Sequence, residues 1–148
     1  MVKYPALNFP KVTLRARKAD AKDMIWDDIR KLWLALTPEE WVRQHAVGFL
    51  SEECGIAKGS ISIEHPVNLN SQPQRADIVA FIKDKAWMLV ECKAWDVVID
   101  RKVLDQALRY NTIIKARYIF LTNGMKHYFF EINDNIPSQI DYIPHVEQ

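Results

Sequence analysis

The alternation of apolar and polar positions is sharpest between residues 76 and 94. Two apolar, β-rich runs, 76–82 and 86–94, are separated by Lys83, Asp84 and Lys85. Two such runs joined by a short polar link predict a β-hairpin. A helical period marks residues 37–50: Val42, Ala46, Phe49 and Leu50 recur behind Thr37, a good N-cap, and Pro38, suited to the first helical position. A second helical pattern covers residues 101–115, with Val103, Gln106, Tyr110 and Ile113 on one face. Strands are predicted at 60–69, 118–122 and 127–132, the last two joined at the turn signal Asn123-Gly124. Residues 23–35 carry Trp26, Ile29 and Trp33 at spacings of three and four, which predicts a further helix with a core stripe. Residues 1–21 contain Pro5 and Pro10 and are expected to be irregular or partly extended, and Pro137 and Pro144 predict a loose tail after Asn133. The pattern is that of an α/β chain with an N-terminal arm and extra helix (1–36), a core (37–132) and a tail (133–148).

Three ionisable residues interrupt the hairpin runs: Asp77, Glu91 and Lys93. Charged side chains are rarely buried unless paired or bound to something. Side chains alternate along a strand, so Glu91 and Lys93 share a face and Cys92 points away. A three-residue turn, 83–85, puts Asp77 directly across from Glu91, with Cβ atoms about 5 Å apart. A turn with an even number of residues puts them on opposite faces. Two facing carboxylates repel unless a cation lies between them. Mg²⁺ (or Mn²⁺) suits such a position, since it takes oxygen ligands and leaves coordination sites to water and phosphate. The Cys92 carbonyl is a natural third donor. On the residues alone, a structural Glu–Lys or Asp–Lys pair stays open beside this metal reading.

The arrangement D-x13-E-x-K is set among TPEEWVRQ (37–44), RADIV (75–79), VECKA (90–94), DQALRYN (105–111) and LTNG (121–124). In these motifs and their order the chain resembles the PD-(D/E)XK nuclease superfamily. Within it, the chain is similar to the N-terminal nuclease domain of type I restriction enzyme R subunits, over residues 37–130. Two positions depart from the usual pattern: Ala76 precedes Asp77, and Trp95 follows ECKA. The resemblance implies a restriction-endonuclease-like core, a mixed central sheet flanked by helices. It implies a Mg²⁺-dependent endodeoxyribonuclease with Asp77 and Glu91 as metal ligands and Lys93 as catalytic lysine. Gln106 and Tyr110 match the Q-x-x-x-Y pattern that helps hold the nucleic acid or the site. DNA, and helicase, translocase or other restriction–modification subunits, are the implied partners.

An acidic residue on the first helix often joins such a site, and Glu39 and Glu40 compete for the role. Thr37 and Glu40 have capping-box spacing, which gives Glu40 a structural task. Glu39 lies nearer the apolar stripe and is the expected accessory carboxylate. Glu64 is expected to face solvent. Arg75 and Arg109 are candidate phosphate contacts, because guanidinium matches phosphate bidentately.

Charge changes the picture only locally. The net charge is +1, which does not by itself mark a nucleic-acid binder. Lys3, Lys11, Arg15, Arg17, Lys18 and Lys22 are opposed only by Asp20 in that stretch. Arg15 and Arg17 are therefore candidates for contact with a phosphate backbone. A non-cleaving nucleic-acid- or protein-binding module with a nuclease fold is the alternative function. No apolar run approaches the roughly 20 residues of a membrane helix. The N-terminal residues have no signal-peptide core, and Cys54 and Cys92 show no zinc spacing, so a reducing cytoplasm is expected. The four histidines are expected to be structural or surface residues.

Overall fold

The computed structural model describes residues 4–147. Lys3 of the basic run lies outside them. The described residues form nine strands and two helices of more than one turn. Strands β1 (Ala16–Ala19), β2 (Lys22–Asp27) and β3 (Leu32–Ala35) make an antiparallel three-stranded sheet. Helix α1 (Pro38–Glu52) follows, then β4 (Ile61–Leu69), β5 (Gln72–Ile82) and β6 (Lys85–Cys92). Helix α2 (Arg101–Ile114) crosses over to β7 (Tyr118–Thr122), and β8 (His127–Asn133) and β9 (Ile136–Ile140) complete a six-stranded sheet in sequential order. Among the described residues only β6 and β7 pair in parallel, which makes the sheet mixed.

Helix α1 begins where Thr37 Oγ1 accepts the Glu40 N–H at 3.1 Å. Its stripe of Val42, Ala46, Phe49 and Leu50 is buried against Ile78, Met88, Val90, Cys92 and Phe120. Helix α2 is capped by Asp100, whose side chain accepts from the Lys102 and Val103 N–H groups. It buries Leu104, Ala107 and Tyr110 among Val79, Leu89, Ile119 and Leu121. Alternate residues of β5, β6 and β7 thus go to different cores, and the two helices cover opposite faces of the sheet. Ile113 departs from the expected stripe and is 52% exposed.

Residues 23–35 form no helix. Trp26 and Trp33 are direct cross-strand partners, and Ile25 and Asp27 are buried at a period of two. A spacing of seven fits both two helical turns and the two arms of a hairpin. The Asp27 carboxylate decides for the hairpin by accepting the Ile29 and Arg30 N–H groups at the turn. The tail also differs from expectation, because β9 pairs with β8.

The β5–β6 turn has two residues, Lys83 and Asp84, with φ of 50° and 63°. An even turn alone would have separated the carboxylates. A β-bulge restores the parity: Ala80 faces Met88 while Phe81 faces Ala86, which leaves Trp87 as the extra residue of β6. Beyond the bulge Ile78 pairs with Val90, and that register puts Asp77 across from Glu91.

Both turn residues occupy the left-handed region, where a side chain costs about 1 kcal/mol. Replacing Lys83-Asp84 by Asn-Gly is expected to raise stability by about 1 kcal/mol. Urea denaturation checks this, and a loss of stability would refute the turn conformation.

Candidate active site

The register brings the Asp77 and Glu91 carboxylates each to a backbone N–H of the opposite strand. The Asp77 N–H donates to Glu91 Oε2 at 3.0 Å, and the Cys92 N–H donates to Asp77 Oδ2 at 2.7 Å. Each carboxylate is thereby fixed by the backbone of the other's strand, with one oxygen left over. The Asp77 N–H is available because the β4–β5 ladder skips one pair. Ile63 faces Ile78 and His65 faces Ala76, but Glu64 and Asp77 between them do not pair. Glu64 sits there at φ 52°, a left-handed residue inside a strand.

These residues open onto a cleft of about 280 Å³, lined by Glu39, Arg75, Asp77, Glu91, Lys93, Lys102, Val103, Gln106 and Tyr110. Seven of the side chains singled out in the sequence meet here. The Lys93 N–H is fixed by the Thr122 carbonyl of β7 at 2.9 Å. Cys92 packs on the other face of the sheet, in the core under α1. Arg109 does not line the cleft; it is exposed and donates to Gln106 Oε1. Arg15 and Arg17 lie elsewhere, on the β1–β2–β3 sheet.

Glu39 reaches the cleft for a reason other than the one expected. It is the exposed member of its pair, at the cleft's edge. Glu40 is the buried one, accepting from Arg43 and from Gln44 Nε2. Glu64 does not face solvent alone. It is bound by three arginines: Arg30 Nη1 at 3.2 Å, Arg75 Nη1 at 3.4 Å and Arg43 Nη1 at 3.5 Å. The same Arg43 Nη1 lies 4.0 Å from Asp77 Oδ1. Arg30 in turn donates through Nε to the fully buried Asp27 at 2.7 Å. An ion-pair chain therefore runs from the β2–β3 turn to the carboxylate site.

Sequence reasoning missed Lys102, Arg43 and Arg30. Lys102, Gln106 and Tyr110 follow at four-residue steps on α2, and Glu39 and Arg43 do so on α1, so helical spacing offered a signal for two of the three. Arg30 offered none, since its role depends on a hairpin read as a helix.

The electrostatics follow from burial and crowding. Glu91 is pushed up to about 9, first by burial, then by the Asp77 carboxylate beside it. Burial and then Asp77 also raise Glu39. Burial raises the Tyr110 hydroxyl, against the opposing bond to Gln106. Burial alone would lower Arg43, but its bonds to Glu40 outweigh that and raise it. A site that holds a proton between two carboxyls is one that a cation can occupy instead. Among the described residues no three or more His, Cys, Asp and Glu form a closed metal cage. Two carboxylates beside an open cleft are nevertheless the donor set of Mg²⁺, which fills its remaining positions with water and substrate oxygen.

A family model described as "Type I restriction enzyme R protein N terminus (HSDR_N)" matches residues 38–146. The chain belongs to this family. No curated protein and no solved structure matches it. The match to the R protein N terminus begins at the first residue of α1, so the β1–β2–β3 sheet and Arg30 lie outside it. The segment that holds every cleft-lining residue lies within it. No helix among the described residues is long and apolar enough to cross a membrane.

Two outcomes are expected. Because Glu91 keeps its proton in the folded protein well above the usual carboxylate range, the metal-free protein should lose stability as pH rises from about 4.5 towards 9. Glu91→Gln should flatten that slope, which a series of melting curves in chelator would measure; equal slopes would contradict the pairing. Arg30→Ala should cost about 3 kcal/mol, because it leaves the buried Asp27 carboxylate without its counter-charge. Arg75→Ala, at an exposed pair, should cost less than about 1 kcal/mol. Urea unfolding of the two variants makes the comparison.

Proposed function

We propose that the chain is a metal-dependent endodeoxyribonuclease, hydrolysing phosphodiester bonds with Mg²⁺ or Mn²⁺. The observation that carries this reading is that Asp77 and Glu91, each carboxylate held by a backbone N–H of the other's strand, lie with Lys93 at the floor of an open cleft. Asp77, Glu91 and the Cys92 carbonyl would hold the ion. When bound, the ion supplies a Lewis acid for the phosphoryl oxygen and lowers the pKa of the attacking water. Lys93, on the same face as Glu91, orients or deprotonates that water or offsets charge building on the phosphate. Glu39, across the cleft from β6, is an accessory carboxylate whose raised affinity for protons suits it to take one up. Arg75 and Lys102 give the cleft wall the positive charge that a phosphate backbone needs. Gln106 and Tyr110 position the strand from α2, and Arg109 contacts phosphate from the helix surface, with its orientation set by Gln106.

DNA is the proposed substrate, because the family is that of a restriction enzyme's R protein. Association with other restriction–modification subunits is proposed on the same ground, and a helicase or translocase among them on the sequence resemblance alone.

Incubation of plasmid and single-stranded DNA with Mg²⁺ or Mn²⁺, beside Lys93→Ala and Asp77→Asn, tests the reading. Wild-type protein should cleave, and each variant should lose about 10²–10⁴-fold in rate. Cleavage that persists in Asp77→Asn refutes the assignment of the site. Metal binding without cleavage by the wild type would favour the non-cleaving binding module.

A further inference from the structure

We propose that the outer face of the β1–β2–β3 sheet is a docking surface for the phosphate backbone of a nucleic acid, built from Arg15 and Arg17 stacked on Trp26 and Trp33. The proposal adds a second contact for the substrate class of the proposed function and rests on that reading.

The strand registers assign the face. The Arg15 carbonyl accepts the Trp26 N–H at 2.8 Å, Trp26 is opposite Trp33, and Arg17 is opposite Met24. These residues point one way. Ile25 and Asp27, the alternate residues of β2, point the other way and are fully buried. The indoles are half-buried at this face, while both arginines are exposed.

The arginines are held, but not by acids. The Arg17 guanidinium lies 4.1 Å from the centre of the Trp33 ring. That of Arg15 lies 5.1 Å from Trp26 and 5.6 Å from Trp33. None of the ion pairs among the described residues engages either one. Asp28, at the nearby turn, is already bound by Lys31 and Lys58. Elsewhere the arginines of this chain other than Arg109 are matched to carboxylates, as at Glu40, Glu64 and Glu131. Here the planar groups are held over indole rings, and the Asp28 and Glu52 carboxylates that line the same pocket as Arg15 make no ion pair with it.

That is a preorganised anion surface. A guanidinium immobilised on an aromatic ring has lost much of its rotational freedom before the ligand arrives, so less is lost on binding. Arg15 and Arg17 are two residues apart along one extended strand, about 7 Å. Two fixed cations in a row fit a polymeric anion better than a single small one, and Lys22 extends the same face. The indole rings are covered by the arginines, so the contact is with phosphate and not by base stacking. It is expected to be independent of sequence. The ion-pair chain through Asp27, Arg30 and Glu64 fixes this sheet to the cleft, so a strand held on one is held in a defined relation to the other.

Fluorescence anisotropy with labelled single- and double-stranded DNA, in chelator to prevent cleavage, tests the proposal. Arg15→Gln with Arg17→Gln should weaken binding about tenfold or more at low salt. On duplex it should reduce the slope of log affinity against log salt by about 2, the loss of two phosphate contacts. Trp33→Leu should weaken binding while leaving the slope nearly unchanged, because the charge remains and only its orientation is lost. Lys83→Gln with Lys85→Gln removes the same charge at the distant β5–β6 turn and should leave affinity close to wild type. The proposal is overturned if the arginine pair binds DNA like wild type, or if the lysine pair loses as much. It is also overturned if the arginine pair loses binding only to phosphatidylserine vesicles, which would make the face a lipid contact. Because cleavage is not the readout, an inactive wild type that loses DNA binding in the arginine variant would refute the nuclease reading alone.

Discussion

The parity of one hairpin governs the rest of this structure. Side chains alternate along a strand, so a one-residue slip would carry Asp77 away from Glu91 and take the cleft's chemistry with it. The two-residue turn at Lys83-Asp84 gives the wrong parity, and the bulge at Trp87 corrects it. Trp87 is nearly buried and meets Tyr118 edge-on, so the extra residue is secured by packing. The crossed backbone bonds between the two carboxylates then lock the register at the other end of the hairpin. Turn, bulge and site together specify a single alignment of β5 on β6.

Charge is managed around this alignment by arginines rather than by the net charge of the chain. Glu64 breaks its own ladder, at the expense of a strained backbone, and becomes a meeting point for Arg30, Arg43 and Arg75. Its nearest consequence is the free Asp77 N–H, which the site uses. The Nη2 atom of Arg30 is the single buried side-chain nitrogen or oxygen without a hydrogen bond among the described residues; it lies 4.0 Å from Glu40. The network thus joins four separate parts of the chain: the N-terminal sheet, α1, β4 and β5.

The core was legible because its signals are local and redundant. The stripe of α1, the cap at Thr37, the strands 118–122 and 127–132 and the paired runs of the hairpin each follow from a period and a bounding turn. Asp77, Glu91 and Lys93 stood out as charges within apolar text, and the cleft they share with Gln106 and Tyr110 followed from the resemblance. What failed were places where two periods coincide or where a side chain decides. Trp26 and Trp33 fit a helix as well as a hairpin until Asp27 is seen to cap the turn. The bulge leaves no mark in the sequence beyond an extra apolar residue, so a three-residue turn was the simpler route to the same register. The burial of Glu40, and with it the exposure of Glu39, depends on Arg43 and Gln44 one turn later. β9 was hidden by Pro137, which an edge strand tolerates because one side of it needs no ladder bond.

The single parallel pair of the large sheet separates two parts of the site by the length of chain each must close. Asp77 and Glu91 come together within one hairpin, a local event of the kind that takes about 1–10 μs. The Lys93 backbone is held by Thr122, which requires α2 to form and β7 to dock alongside β6. Closing that longer loop costs more entropy and is repaid only when the crossover is complete. Glu91 and Lys93, two residues apart in sequence, therefore draw on different levels of organisation: the carboxylate pair on secondary structure, the lysine on topology.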